Sequence, residues 1–132
     1  VPLTEVSRYG ILSGIWEDKE NTILNVSAMN EKPKASYAEE FLGVRGNDGK
    51  KEYCSVFGQY ILTPEVFQQL ETDIRKADEG NDHTREIELT SALEAVRSNH
   101  GMMGVRLDGE MYDMGNPDAL CRCVAAFSKP KE

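Results

Sequence analysis

The stretch "AMNEKPKASYAEEF", residues 28–41, ends an apolar run in adjacent opposite charges and sets a proline behind them. Neighbours on a strand point to opposite faces, so one ligand atom cannot meet both Glu31 and Lys32. Pro33 removes a ladder donor and drives Lys32 toward an extended conformation. The strand therefore ends here, with both side chains at its mouth, the place where ligands bind in open α/β sheets. A carboxylate there accepts hydrogen bonds from sugar hydroxyls, and an ammonium a few ångströms away neutralises a phosphate. Charged strand ends are also ordinary solvated surface, so the tripeptide alone assigns nothing.

Working outward, "RYGILSGIW" (8–16) is rich in β-formers and reads as a strand, with Gly10 and Gly14 as points of close backbone approach. A charged link, "EDKEN", leads to a second strand over Ile23 to Asn30. "SYAEEFLG" (36–43) reads as a short helix capped by Ser36 and stopped by Gly43, and Asp48-Gly49 signals a tight turn. "YCSVFGQYIL" (53–62) reads as a buried strand. Thr63 then caps a helix with Pro64 at its first position and Val66, Phe67, Leu70 and Ile74 on one face. A polar loop at 77–84 precedes a helix with Leu89, Ala92, Leu93 and Val96 on a common face, stopped by Gly101. "MMGVRLDGEMYDMG" (102–115) reads as a strand and a turn at Asp108-Gly109. Asn116 caps a last helix whose inner stripe is Leu120, Cys123, Val124 and Phe127. Five strands alternating with three main helices predict an α/β or α+β domain with a mixed sheet.

The chain of 132 residues is one domain's worth, and 39% hydrophobic with 29% charged residues suits a soluble globular protein. No apolar run reaches the ~20 residues of a membrane helix, and "VPLTEVSRYG" lacks the basic and apolar regions of a signal peptide. A formal net charge of −8 opposes nucleic acid, while a local Lys or Arg still accommodates a small anion. Three cysteines, Cys54, Cys121 and Cys123, in an unsignalled chain predict reduced thiols and a cytoplasmic home. His83 and His100 read as surface residues, and Trp16 as core. G-x-S-x-G, H-E-x-x-H and P-loop motifs are all missing.

Five blocks in order change the weight of the charged pair: "YGIL" (9–12), "NEKPK" (30–34), "VFGQYILTPEVFQQLE" (56–71), "REIELTSAL" (85–93) and "YDMGNPDAL" (112–120). Together they resemble the C-terminal half of the sugar-phosphate nucleotidyltransferases, most of all the bacterial UTP–glucose-1-phosphate uridylyltransferase family. Lys32, Pro33, Gly58 and the "LTPE" of 62–65 are the firmest matches. The resemblance implies an α/β, Rossmann-like nucleotidyltransferase domain, of which residues 1–132 are the sugar-phosphate-binding half. It implies UTP and glucose 1-phosphate as partners and UDP-glucose and pyrophosphate as products. By the same resemblance, Lys32 is catalytic and holds the sugar phosphate, Glu31 holds the sugar hydroxyls, and Gly10 lets backbone approach the sugar. Gly58, Arg85 and Asp113 join them as candidate sugar-phosphate-binding residues.

The family's glycine-rich G-G-x-G-T-R-L loop is not among these residues, so this chain alone is expected to be inactive. The aspartate of the family's L-T-D-A, a Mg²⁺ ligand, is Ser91 here, and a neutral hydroxyl is a poor substitute for a hard-cation carboxylate. Ser91 and Glu94 also fit a helix-start capping box. Glu86 or Glu88 are substitute carboxylates for Mg²⁺ in the full-length protein. Other readings stand beside the first: a relative with another nucleotide or sugar, a sugar-phosphate-binding homologue without turnover, and an interaction module. In the last, an apolar face drives homo-oligomerisation.

Overall fold

Residues 10–16 pair with residues 23–31 to make the spine of the molecule. The computed structural model describes residues 1–80, 87–109, 111, 112, 114, 115 and 117–128. Leu3–Arg8 forms a 3-10 turn ahead of β1 (Gly10–Trp16) and β2 (Ile23–Glu31). The link between the strands closes because Asp18 accepts hydrogen bonds from the Thr22 and Ile23 amides, at 2.9 and 2.8 Å. Next come α1 (Ala35–Tyr37), a π-helical turn at Ala38–Leu42, and the short strands β3 (Val44–Arg45), β4 (Lys51–Glu52) and β5 (Cys54–Ser55). The helices α2 (Pro64–Glu79) and α3 (Leu89–His100), strand β6 (Met103–Val105) and helix α4 (Pro117–Phe127) complete the order.

The class is α/β with three substantial helices, as expected. The sheet has order β5-β1-β2-β6, and β3 and β4 form a separate hairpin. Its pairings are antiparallel throughout, so the mixed sheet anticipated from the sequence narrows to an antiparallel one among the described residues. The short link between β1 and β2 accounts for much of this, because parallel neighbours need a crossover of a dozen residues or more.

Register matters more than strand count. Ser13 pairs with Ala28 and Gly14 with Val26, so Ser27 is an extra residue, a bulge in β2. Before it, the buried positions are Leu24 and Val26; after it, Met29 is buried and Glu31 half-buried. The bulge therefore moves the inward face from even to odd positions. Leu24 and Val26 pack with Val44, whereas Met29 packs with Val66 of α2 and Leu93 of α3. Glu31 follows Met29 on that face. A third cluster, Val6, Ile11, Ala38 and Leu42, lies near the start of β1.

Gly14 makes the close approach read from the sequence. A Cβ there would fall on the Asn25 carbonyl and within 3.1 Å of Leu24 Cγ. Gly14→Ala is expected to cost about 1–3 kcal/mol, the range for overpacking, measured as a lower urea midpoint.

Several expectations are corrected. Only Cys54–Ser55 of the predicted strand 53–62 pairs, and Phe57, Tyr60 and Ile61 are exposed. The helix at 36–43 starts at Ala35 after Lys34 rather than at a Ser36 cap, and Gly43 leaves it in an extended conformation. α2 runs to Glu79, into the stretch read as a loop, and only Val66 of its predicted face is fully buried. The expected inner stripe of α4 is largely outward: Leu120, Val124 and Phe127 are exposed, and Ala119 is the buried residue. Thr63 holds the N-cap position of α2 ahead of Pro64, though without a side-chain capping bond, and Gly101, at φ +80°, does stop α3. The Asn116 cap and His83 lie outside the described residues. No helix among the described residues is long and apolar enough to cross a membrane.

Candidate functional site

Lys32 does not continue the strand. Its φ is +44°, left-handed rather than the extended conformation expected before a proline. The Lys32 amide donates to the Tyr9 carbonyl at 3.1 Å, extending the β1–β2 ladder by one bond while the chain turns. A positive φ at a residue other than glycine is uncommon and is held by its surroundings; here that ladder bond and the buried Pro33 hold it. The turn has a chemical result. Lys32 Nζ comes to 3.8 Å from Glu31 Oε1, so the two charges share one locale instead of facing apart.

Glu31 is tied on its other oxygen. Thr90 Oγ1, at the start of α3, donates to Glu31 Oε2 at 2.8 Å. Gly10 is paired with Glu31 across the ladder, and a Cβ on Gly10 would come within 3.0 Å of Oε2 and 3.3 Å of Val56 Cγ2. Gly10 thus leaves the room that the carboxylate occupies. Tyr60 stands near enough to sense it: partial burial first, then the Glu31 charge, pushes the Tyr60 hydroxyl pKa up. Lys32 keeps 65% of its side chain exposed and Glu31 30%, so the pair is reachable from solvent while Glu31 stays anchored through Oε2. This arrangement can bind a molecule that carries both hydroxyls and a negative charge.

The structure brings together Gly10, Glu31 and Lys32 among the residues singled out from sequence. Gly58 has φ +65°, which suits glycine, in the exposed run after β5 that carries Tyr60. Ser91 does not cap α3. The helix begins at Leu89 after Glu88, Ser91 lies in its first turn, and its hydroxyl donates weakly to Glu88 Oε2 at 3.4 Å. Glu94 does not reach back either; it accepts the Met29 amide at 3.1 Å and binds Arg97 through both oxygens, at 2.7 and 2.8 Å. Arg85, Glu86 and Asp113 lie outside the described residues.

Thr90 and Tyr60 were not singled out from sequence. Both lie inside the quoted blocks, but a contact spanning 59 residues leaves no local signal. A polar groove of about 250 Å³ between α2 and α3, lined by Glu65, Gln68, Asn99 and His100 among others, involves none of these residues.

The nucleotidyl transferase family model matches residues 1–129. UTP–glucose-1-phosphate uridylyltransferase of Staphylococcus haemolyticus (strain JCSC1435) is 36% identical over 115 residues, 87% of this chain and 33% of that protein. The protein of the same name from Streptococcus pneumoniae serotype 4 is 31% identical over 116 residues, 88% of this chain and 32% of that protein. The chain spans about a third of the length of these curated relatives. Among solved structures, apo UDP-glucose pyrophosphorylase superposes with a TM-score of 0.69 at 25% identity, covering 96% of this chain and 39% of that chain. UDP-glucose pyrophosphorylase complexed with UDP-glucose gives 0.66 at 24% identity, covering 96% and 41%.

Proposed function

This chain belongs to the nucleotidyl transferase family, and from that premise we propose that it is the sugar-phosphate-binding part of a UTP–glucose-1-phosphate uridylyltransferase. The observation that carries the reading is the partly exposed Glu31–Lys32 pair at the end of β2, with Oε1 and Nζ 3.8 Å apart. In the reaction, a phosphate oxygen of glucose 1-phosphate attacks the α-phosphorus of UTP, and pyrophosphate leaves with the electron pair of the broken bond. No protein nucleophile is needed, so catalysis is positioning and charge neutralisation. Lys32 neutralises the sugar phosphate and keeps two anions from repelling. Glu31 accepts hydrogen bonds from sugar hydroxyls and sets the angle at which the phosphate is presented. Gly10, itself buried, leaves the room in which the Glu31 carboxylate sits.

Of the carboxylates expected to serve Mg²⁺, Glu88 is among the described residues and Glu86 is not. Among the described residues no three His, Cys, Asp or Glu side chains come together as a metal-binding group. Ser91 offers a hydroxyl already turned to Glu88, and Glu88 offers one exposed carboxylate. Mg²⁺ prefers carboxylates with phosphate oxygens and water, and Glu88 would offer it one such carboxylate if it bound there; the roles above are those of this chain's own side chains.

Ser91 favours a second reading, a homologue that binds sugar phosphate without turning it over. One assay separates the two. The full-length protein with UTP and glucose 1-phosphate is expected to release UDP-glucose and pyrophosphate, and these 132 residues alone to release none. Binding of glucose 1-phosphate without product would establish the second reading, and neither binding nor product would overturn both. Turnover with a different nucleoside triphosphate would move the protein to a relative of other specificity.

A further inference from the structure

The two oxygens of Glu31 are not equivalent. Oε2 lies against Gly10 and accepts from Thr90, whereas Oε1 stays on the Lys32 side. A free glutamate side chain spreads over many rotamers, and ordering it costs up to ~2 kcal/mol. A donor on a separate element removes that freedom before any ligand arrives.

The donor is itself held. Two bridges run between β2 and α3: the Met29 amide to Glu94 Oε2 at 3.1 Å, and Thr90 Oγ1 to Glu31 Oε2 at 2.8 Å. Met29 and Glu31 are two residues apart on one strand face, a rise of roughly 6.6 Å. Thr90 and Glu94 are four apart on one helix face, a rise of about 6 Å. The spacings match, so both bridges close together with the helix antiparallel to the strand. Arg97, bidentate on Glu94, fixes the first bridge, and Leu93 packs on Met29 and Val66 beside it. The start of α3 is thereby set relative to the end of β2.

We infer that Thr90 is a positioning residue: its hydroxyl holds Glu31 so that Oε1 stands ready to accept from a sugar hydroxyl beside the phosphate on Lys32. This rests on the sugar-phosphate reading and adds the element that orients the sugar. Thr90 touches no ligand; it acts through Glu31, and Glu94 keeps it in place.

The test compares Thr90→Val, which keeps the branched shape and removes the donor, with Thr90→Ser, which keeps the donor. Calorimetry on the full-length protein measures glucose 1-phosphate and, separately, inorganic phosphate. Thr90→Val is expected to weaken glucose 1-phosphate about tenfold, as loss of a hydrogen bond to a charged group would, with Thr90→Ser within about twofold of the native protein. Inorganic phosphate, which needs Lys32 and not the orientation of Glu31, is expected to bind all three alike. Native affinity for glucose 1-phosphate in Thr90→Val would overturn the inference. So would a Thr90→Ser protein as weak as Thr90→Val, which would assign the effect to the methyl group, or a parallel loss of inorganic phosphate, which would mark general disruption. A native protein indifferent to glucose 1-phosphate would remove the sugar-phosphate reading and this inference with it. Binding abolished by Lys32→Ala but untouched in Thr90→Val would remove this inference alone.

Discussion

Lys32→Ala is expected to lower kcat/KM for uridylyl transfer by the full-length protein roughly 10²–10³-fold, the usual effect of removing one preorganised group that stabilises transition-state charge. The ammonium is mostly exposed and Glu31, at 3.8 Å, is its ion-pair partner. An exposed pair of this kind adds little to stability, so the loss belongs to the chemistry. A companion variant separates the two effects. Lys32 sits at φ +44°, a conformation glycine adopts freely. Lys32→Gly should therefore be at least as stable as Lys32→Ala in urea while equally impaired in turnover. An alanine variant within about threefold of native kcat/KM would reduce Lys32 to a surface partner of Glu31.

Ile11→Ala is expected to destabilise the chain by about 2–5 kcal/mol, the cost of emptying a close-packed site. Ile11 is 0% exposed and packs with Val6, Ala38 and Leu42. It follows Gly10 in β1 and pairs with Asn30 on one side and Ser55 on the other, and its side chain joins the Val6 cluster, so the cavity would open on the sheet face opposite Glu31. Against a typical stability of about 5–15 kcal/mol this is a large fraction. Phe127→Ala removes a larger side chain, but Phe127 is 76% exposed on α4, and the change is expected to stay within about 0.5 kcal/mol. Urea unfolding of the two variants measures the contrast. An Ile11→Ala loss below about 1 kcal/mol would mean that the cluster closes over the gap.

The parts of the fold governed by local chemistry were legible. Alternating β-formers marked β1 and β2, Thr63-Pro64 opened α2, Gly101 closed α3, and Asp48-Gly49 turned the hairpin. The end of β2 was legible because Pro33 cannot donate to a ladder. The conformation of Lys32 was not. Its left-handed turn is fixed by Tyr9, 23 positions earlier in the chain. Apolar letters misled twice. Phe57, Tyr60 and Ile61, like Leu120, Val124 and Phe127, follow patterns that suit burial, yet are exposed here. Hydrophobic pattern reports which face seeks cover, not what supplies it. The start of α3 was misread because Ser91 and Glu94 match a capping pattern, while tertiary partners claim Glu94 for β2. Of the candidate site, the charged pair and Gly10 were visible. Thr90 was not, since its role exists only once α3 lies on β2.

The unpaired Ser27 has a consequence for how this protein tolerates change. The bulge, rather than alternation alone, sets which residues between Val26 and Glu31 face α3, and Met29 among them is buried core. Straightening the bulge with every residue kept would turn Asn30 toward α3 in place of Glu31, leaving the carboxylate out of reach of Thr90, whereas deleting Ser27 would leave Met29 and Glu31 on the inward face. This segment therefore tolerates loss of Ser27 better than loss of any paired neighbour, whereas the exposed hairpin tip around Asn47 can absorb insertions.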